Sequence, residues 1–178
     1  MNLKNVKQRN VLLGIVVVIA IAAAGVVLLL TNKPADAKSG SGSAALNRHI
    51  NSTLNDKGEL VIPLSDITDN AGFFSVTVGS TPLEVLAVKA PDGTIRTAFN
   101  TCQVCFGSGK GYYVQEGDEL VCQNCGNRFA MKDVQVTKGG CNPLPISEED
   151  KTVSDTSITI HSDYLNEATQ VFANWKNA

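Results

Sequence analysis

Five cysteines carry the chemical interest of this sequence. Cys102, Cys105, Cys122 and Cys125 form two C-x-x-C pairs, with 16 residues between the pairs. A thiolate is a soft donor, and two cysteines three apart in a tight turn can aim both sulfurs at one point. Two such turns side by side present four thiolates to one ion or one cluster. Zinc, mononuclear iron, a [2Fe–2S] cluster and copper(I) all accept that donor set. The competing chemistry is two local disulfides, or one redox-active C-x-x-C. A disulfide across C-x-x-C closes a very short loop and constrains the unfolded chain little, which favours metal. The fifth cysteine, Cys141, lies in Gly139-Gly140-Cys141-Asn142-Pro143. A double-glycine turn lets a backbone approach a centre closely. Cys141 is therefore a further candidate ligand or a redox thiol beside the site, with simple burial as the alternative.

These residues need elements to hold them. Thr94–Phe99 reads as a strand leading into the first pair, and Glu119–Val121 as a strand leading into the second. Gly126 follows the second pair, where a tight turn needs positive φ. The residues 73–78 alternate between two faces, the period-2 signature of a strand. Glu59–Leu64 and Leu83–Lys89 read as further strands. Ala90-Pro91-Asp92-Gly93 is a turn, because Pro fixes φ and Gly accepts φ > 0. Gly111–Gln115 pairs with Glu119–Val121 around Glu116-Gly117-Asp118. Phe129 with Val134–Val136, and Ser157–Ile160, complete the strands. Leu46–Leu54 is a short helix or linker. A C-terminal helix capped by Ser162 or Asp163 places Leu165, Ala168, Phe172 and Trp175 on one apolar face. Gly107-Ser108-Gly109-Lys110-Gly111 lacks the residues of a phosphate loop and is expected to be a mobile loop near the centre. His49 and His161 have no metal spacing and are expected at the surface, as is the acidic run Glu148-Glu149-Asp150.

The N-terminus has a different character. Residues 1–10 carry Lys4, Lys7 and Arg9, and Val11–Leu30 follows with 20 uncharged residues. At about 1.5 Å per residue such a helix spans roughly 30 Å, the hydrocarbon thickness of a bilayer. The positive flank predicts a cytoplasmic N-terminus, 1–10, and a transmembrane helix or signal anchor, 11–30. Ala35-Asp36-Ala37 fits a signal-peptidase site, but the apolar run is longer than an ordinary signal core, which favours a retained anchor. Residues 31–45, with Lys38-Ser39-Gly40-Ser41-Gly42-Ser43, form a flexible linker. Residues 46–178 then form an extracytoplasmic metal-binding domain.

Beyond residue 37 the chain holds 11 of its 15 Lys and Arg and 16 of its 17 acids, a net charge of −5. Without a basic stripe, nucleic acid is excluded as a partner. No nucleophile–base pair is present, so the chain is expected not to be an enzyme.

The order strand, Pro-Asp-Gly turn, strand, cysteine loop, hairpin, cysteine loop over Leu83–Leu144 resembles the cluster-binding part of Rieske-type domains. Cys125 stands where the second Rieske loop carries histidine, and the first loop is C-x-x-C rather than C-x-H, leaving thiolates alone. A closer resemblance is to the FtrD-like family of membrane iron–sulfur proteins. It rests on Arg96–Cys105, Gly109-Lys110-Gly111-Tyr112, Gln115-Glu116-Gly117-Asp118, Cys122-Gln123-Asn124-Cys125-Gly126 and Gly139-Gly140-Cys141-Asn142-Pro143, and covers about residues 58–175.

The resemblance implies a mainly β chain: an N-terminal transmembrane helix, then a small Rieske-like or rubredoxin-like β domain with a C-terminal helix. It implies an iron–sulfur cluster or iron on Cys102, Cys105, Cys122 and Cys125. It further implies a membrane electron-transfer or iron-handling role beside a ferrous-iron permease or another membrane redox partner. Backbone N–H groups near Gly126 and Gly140 are expected to tune the sulfurs. A structural zinc module, a thiol–disulfide redox protein and a copper(I)-binding protein remain the alternatives from the residues alone.

Overall fold

A computed structural model describes residues 46–177. The expected membrane segment at 11–30 and the linker lie outside them. Among the described residues no helix is long and apolar enough to cross a membrane.

Among the described residues the fold is mainly β with one α-helix, near the C-terminus. A central five-stranded sheet has the order β1 (Arg48–Asn51), β3 (Gly72–Val78), β4 (Thr81–Lys89), β5 (Ile95–Cys102), β9 (Pro143–Pro145). β1 pairs with β3 in parallel, and the other neighbours are antiparallel. A second sheet combines β10 (Lys151–Val153), β11 (Ser157–Ile160) and β2 (Leu60–Pro63). A third combines β6 (Tyr113–Glu116), β7 (Glu119–Cys122) and β8 (Arg128–Ala130).

Alternation along the central strands separates two cores. Phe74, Val76, Leu83, Val85 and Phe99 join Ile62, Ile158, Leu165 and Phe172 on one face. Phe73, Leu86, Val88 and Ala98 join Tyr113, Leu120, Phe129 and three of the cysteines on the other. β4 is consequently buried on both faces, from Leu83 to Val88, as a strand covered on each side must be. Each large apolar side chain so buried stabilises the fold by about 1.5–3 kcal/mol.

Several sequence expectations are corrected. Leu46–Leu54 is not a helix: Arg48–Asn51 extends along β3, where a parallel ladder satisfies its backbone. Val134–Val136 is not a strand. Val134 closes a 3-10 turn onto Met131, and Gln135 takes φ 67°, which breaks any ladder. The helix α1, Ser162–Phe172, is preceded by His161 as its N-cap residue rather than by Ser162 or Asp163, without a side-chain cap. Leu165, Ala168 and Phe172 do form its buried face, and Trp175 joins the same core just beyond it. Glu148–Asp150 is a 3-10 turn closed by a capping box with Ser147. Its Glu148 carboxylate reaches the Lys151 ammonium at 3.0 Å.

His49 is more than a surface residue. Its ring stacks on Phe73 with centroids 5.0 Å apart, and its Nδ1 lies 3.0 Å from the buried carboxylate of Glu84. Glu84 also accepts from Asn100 Nδ2 and Ser75 Oγ, each at 2.8 Å, and from Lys176 Nζ at 3.4 Å. Burial opposes its charge, but Asn100, Lys176, Ser75 and His49 outweigh it and hold its carboxyl below the usual value.

Candidate metal centre

Two strands deliver the two cysteine pairs. β5 leaves the central sheet and ends at Cys102, while β7 leaves the third sheet and ends at Cys122. Asn100 clips these sheets together: its Oδ1 accepts from Tyr113 N at 2.7 Å and its Nδ2 donates to Tyr113 O at 3.2 Å.

Each pair then turns in a knuckle. Cys102 N donates to Gly111 O at 2.6 Å, and Cys122 N donates to Asn127 O at 3.0 Å. Cys105 N donates to Cys102 Sγ at 3.3 Å. The N–H groups of Val104 near Cys102, and of Asn124 and Cys125 near Cys122, also favour the thiolate. Asn127 N serves Cys125. The donors thus come from within the knuckles. These second-knuckle groups lie near Gly126, as expected; Gly126 itself donates to Cys122 O at 2.9 Å, and its φ of 72° closes the turn.

The segment expected to be a mobile loop is folded against the first knuckle. Phe106–Ser108 forms a 3-10 turn, and Ser108 Oγ donates to Cys105 O at 2.7 Å. Gly111 packs so closely that a Cβ there would meet the Cys105 carbonyl group, and the Phe106 nitrogen at 2.8 Å. Only glycine fits this approach.

The five thiols converge. Cys102, Cys105 and Cys122 form one set and Cys105, Cys125 and Cys141 another, with the sulfurs in each set all within 4.8 Å. Cys141 Sγ lies 3.1 Å from Cys125, 3.5 Å from Cys105 and 3.6 Å from Cys102. Cys102, Cys105 and Cys122 are buried, Cys141 is half-buried and Cys125 is exposed. None is in a disulfide. Around a tetrahedral ion with bonds of about 2.3 Å, thiolate sulfurs lie about 3.8 Å apart. The donor set, its spacing and the N–H groups aimed at the sulfurs therefore fit a thiolate-ligated metal or iron–sulfur centre.

The thiols are not equivalent. At Cys102 burial opposes ionisation, yet the Tyr113 hydroxyl and the Val104 and Cys105 amides prevail and bring the thiol below its ordinary value. Cys125 is brought down to about 7, chiefly by the hydrogen bond from Cys141 and then by Asn127 N–H. Burial raises Cys105 and pushes Cys122 up to about 12. Cys141 is raised because its proton is held on Cys125. A metal bound here displaces the remaining protons, so loading is pH-dependent.

A family model described as membrane iron-sulfur containing protein, FtrD-like, matches residues 67–172. The chain belongs to the FtrD-like family. The match lies inside the 58–175 span expected from the motifs and contains all five cysteines. Comparison with the curated proteins and with the solved structures finds no match. In this FtrD-like chain the sequence located the four knuckle cysteines and Cys141. It missed Tyr113, Asn100 and Gln103, whose roles come from long-range hydrogen bonds that no local spacing signals.

Proposed function

We propose that this FtrD-like chain is a membrane-anchored, extracytoplasmic electron-transfer or iron-handling protein that serves ferrous-iron uptake. Residues 11–30 supply the anchor, and the described domain carries the centre on Cys102, Cys105, Cys122 and Cys125. The observation that carries this reading is the convergence of five thiols, three buried and two toward the surface, in a member of a membrane iron–sulfur family. A bound cluster supplies one-electron redox chemistry.

The chain's own contribution is environment. N–H groups of Val104, Cys105, Asn124 and Cys125 stabilise negative charge on the inner sulfurs. The second core excludes water behind them. Exposed Cys125 leaves one edge open to a partner, and Val104 and Phe106, which flank Cys105, are 64% and 38% exposed. A small apolar patch of this kind suits a transient redox encounter with an iron permease or another membrane redox protein.

The test is anaerobic purification of the full chain, followed by iron, zinc, copper and acid-labile sulfide analysis, the visible spectrum, and EPR after reduction. Iron with sulfide and a reducible EPR signal support the proposal. A colourless, EPR-silent protein with stoichiometric zinc sinks it in favour of the structural module.

A further inference from the structure

An ordinary four-coordinate ion, or a [2Fe–2S] cluster, takes four thiolates, and this site offers five. The surplus thiol is held in place by both knuckles. Gln103, in the first knuckle, donates from N to Asn142 O at 3.1 Å and from Nε2 to Pro143 O at 3.2 Å, and its Oε1 accepts from Gly139 N at 3.3 Å. The Cys141 carbonyl accepts from buried Tyr113 Oη and from Asn127 Nδ2, each at 2.8 Å. Asn127 belongs to the turn of the second knuckle. Five hydrogen bonds thus bracket Cys141 on both sides and at its own carbonyl, and its sulfur touches three others.

From this geometry, and resting on the proposed thiolate centre, we infer that Cys125 and Cys141 are alternative occupants of one outer ligand position, completing the buried set of Cys102, Cys105 and Cys122. The two sulfurs are 3.1 Å apart, so a small side-chain rotation exchanges them without moving the buried set. Cys125 lies within 4.8 Å of Cys105, and Cys141 lies 3.6 Å from Cys102 and 3.5 Å from Cys105, so each outer sulfur adjoins the buried set. The exchange is redox-neutral. One metal–sulfur bond breaks at Cys125, one forms at Cys141, and the proton that leaves Cys141 ends on Cys125. Because the exchange occurs on the exposed edge, it provides a step by which an outer ligand opens toward a partner while the inner three hold.

The full chain and its Cys125→Ser, Cys141→Ser, Cys122→Ser and Cys125→Ser/Cys141→Ser variants are purified anaerobically. Iron and sulfide content, EPR spectra after reduction and far-ultraviolet circular dichroism are measured on each. Each single outer variant is expected to keep the iron and sulfide of the wild type with a shifted EPR signal, whereas Cys122→Ser and the double variant lose them. If Cys125→Ser alone empties the centre while the circular dichroism is unchanged, or if Cys141→Ser leaves the EPR signal unshifted, the inference falls. Should a variant unfold, the corresponding Ala variant, reconstituted with ferrous iron and sulfide, decides in the same terms. A wild-type chain without iron or sulfide would instead overturn the function proposed above, so the two failures are distinct.

Discussion

Trp175 Nε1 donates to the main-chain carbonyl of Asn100 at 2.9 Å, two residues before Cys102. The turn beyond α1 is therefore bonded to the strand that carries Cys102, the first candidate ligand. Lys176 reinforces the contact, with its ammonium 4.1 Å from the Trp175 ring centroid and 5.0 Å from that of Tyr112. Trp175→Phe keeps most of the apolar packing and removes the donor. It is expected to cost about 1–2 kcal/mol in denaturant unfolding. Because the lost bond adjoins Cys102, the same variant should also release metal faster to a chelator.

Gly111→Ala tests the closest backbone approach at the site. The added methyl group meets the Cys105 carbonyl and Phe106 N, so the 106–111 turn must lift from the first knuckle. A loss of several kcal/mol, on the order of 3, is expected. The check is a lower Tm together with reduced metal content, compared with the neutral substitution Gly107→Ala, where the Cβ meets open space.

Tyr113→Phe removes a hydroxyl that donates its single proton to the Cys141 carbonyl at 2.8 Å. Reduction adds negative charge to the centre, and a hydrogen bond that polarises the peptide beside the sulfurs favours the reduced form. The variant should therefore have a lower reduction potential. A hydrogen bond of about 1 kcal/mol corresponds to roughly 40 mV for one electron. Anaerobic redox titration of both proteins measures it, and an unchanged or raised potential contradicts the assignment.

Cys125 gives a pH prediction. Its thiol is lowered to about 7, so the thiolate predominates above that pH and is lost as pH falls below it. In metal-free protein, alkylation of Cys125 should rise with pH through a midpoint near neutrality. In Cys141→Ser the strongest hydrogen bond to Cys125 weakens, and the midpoint should move upward. Mass spectrometry of the labelled peptide reads both.

Glu84 governs the acid limit. Its carboxyl is held below the usual carboxylate value, so its contribution to stability is present above that value and is lost as pH falls through the lower folded one. Glu84→Gln should flatten the stability profile in that acid range. It should also cost about 1–2 kcal/mol near neutrality, because Asn100, Ser75 and Lys176 lose a charged acceptor. Denaturant melts across the acid range test both.

The hydrophobic alternation of Phe73–Val78 and the long apolar run of Leu83–Lys89 made the centre of the fold legible, since burial on one face or two writes itself into residue type. β1 was not legible. Arg48-His49-Ile50-Asn51 has no apolar rhythm, and its extended form is imposed by β3. β9 was hidden by its own composition, with proline at both ends of three residues, and it is tolerated because it lies at the edge of the sheet. At the site the C-x-x-C spacing revealed four candidate ligands, because local geometry alone brings each pair together. Which elements hold Cys141 against them depends on Gln103, Tyr113 and Asn127, and such polar contacts leave no periodic trace.

The five thiols come from three stretches of chain, and Cys141 stands 39 positions from Cys102. An extended chain offers any passing metal only one C-x-x-C at a time, a weak chelate. The complete donor set exists only after β5, β7 and the loop before β9 have met. Occupancy of the centre is thus a quality mark of finished folding, and it denies thiol-seeking metals an early claim on the nascent domain.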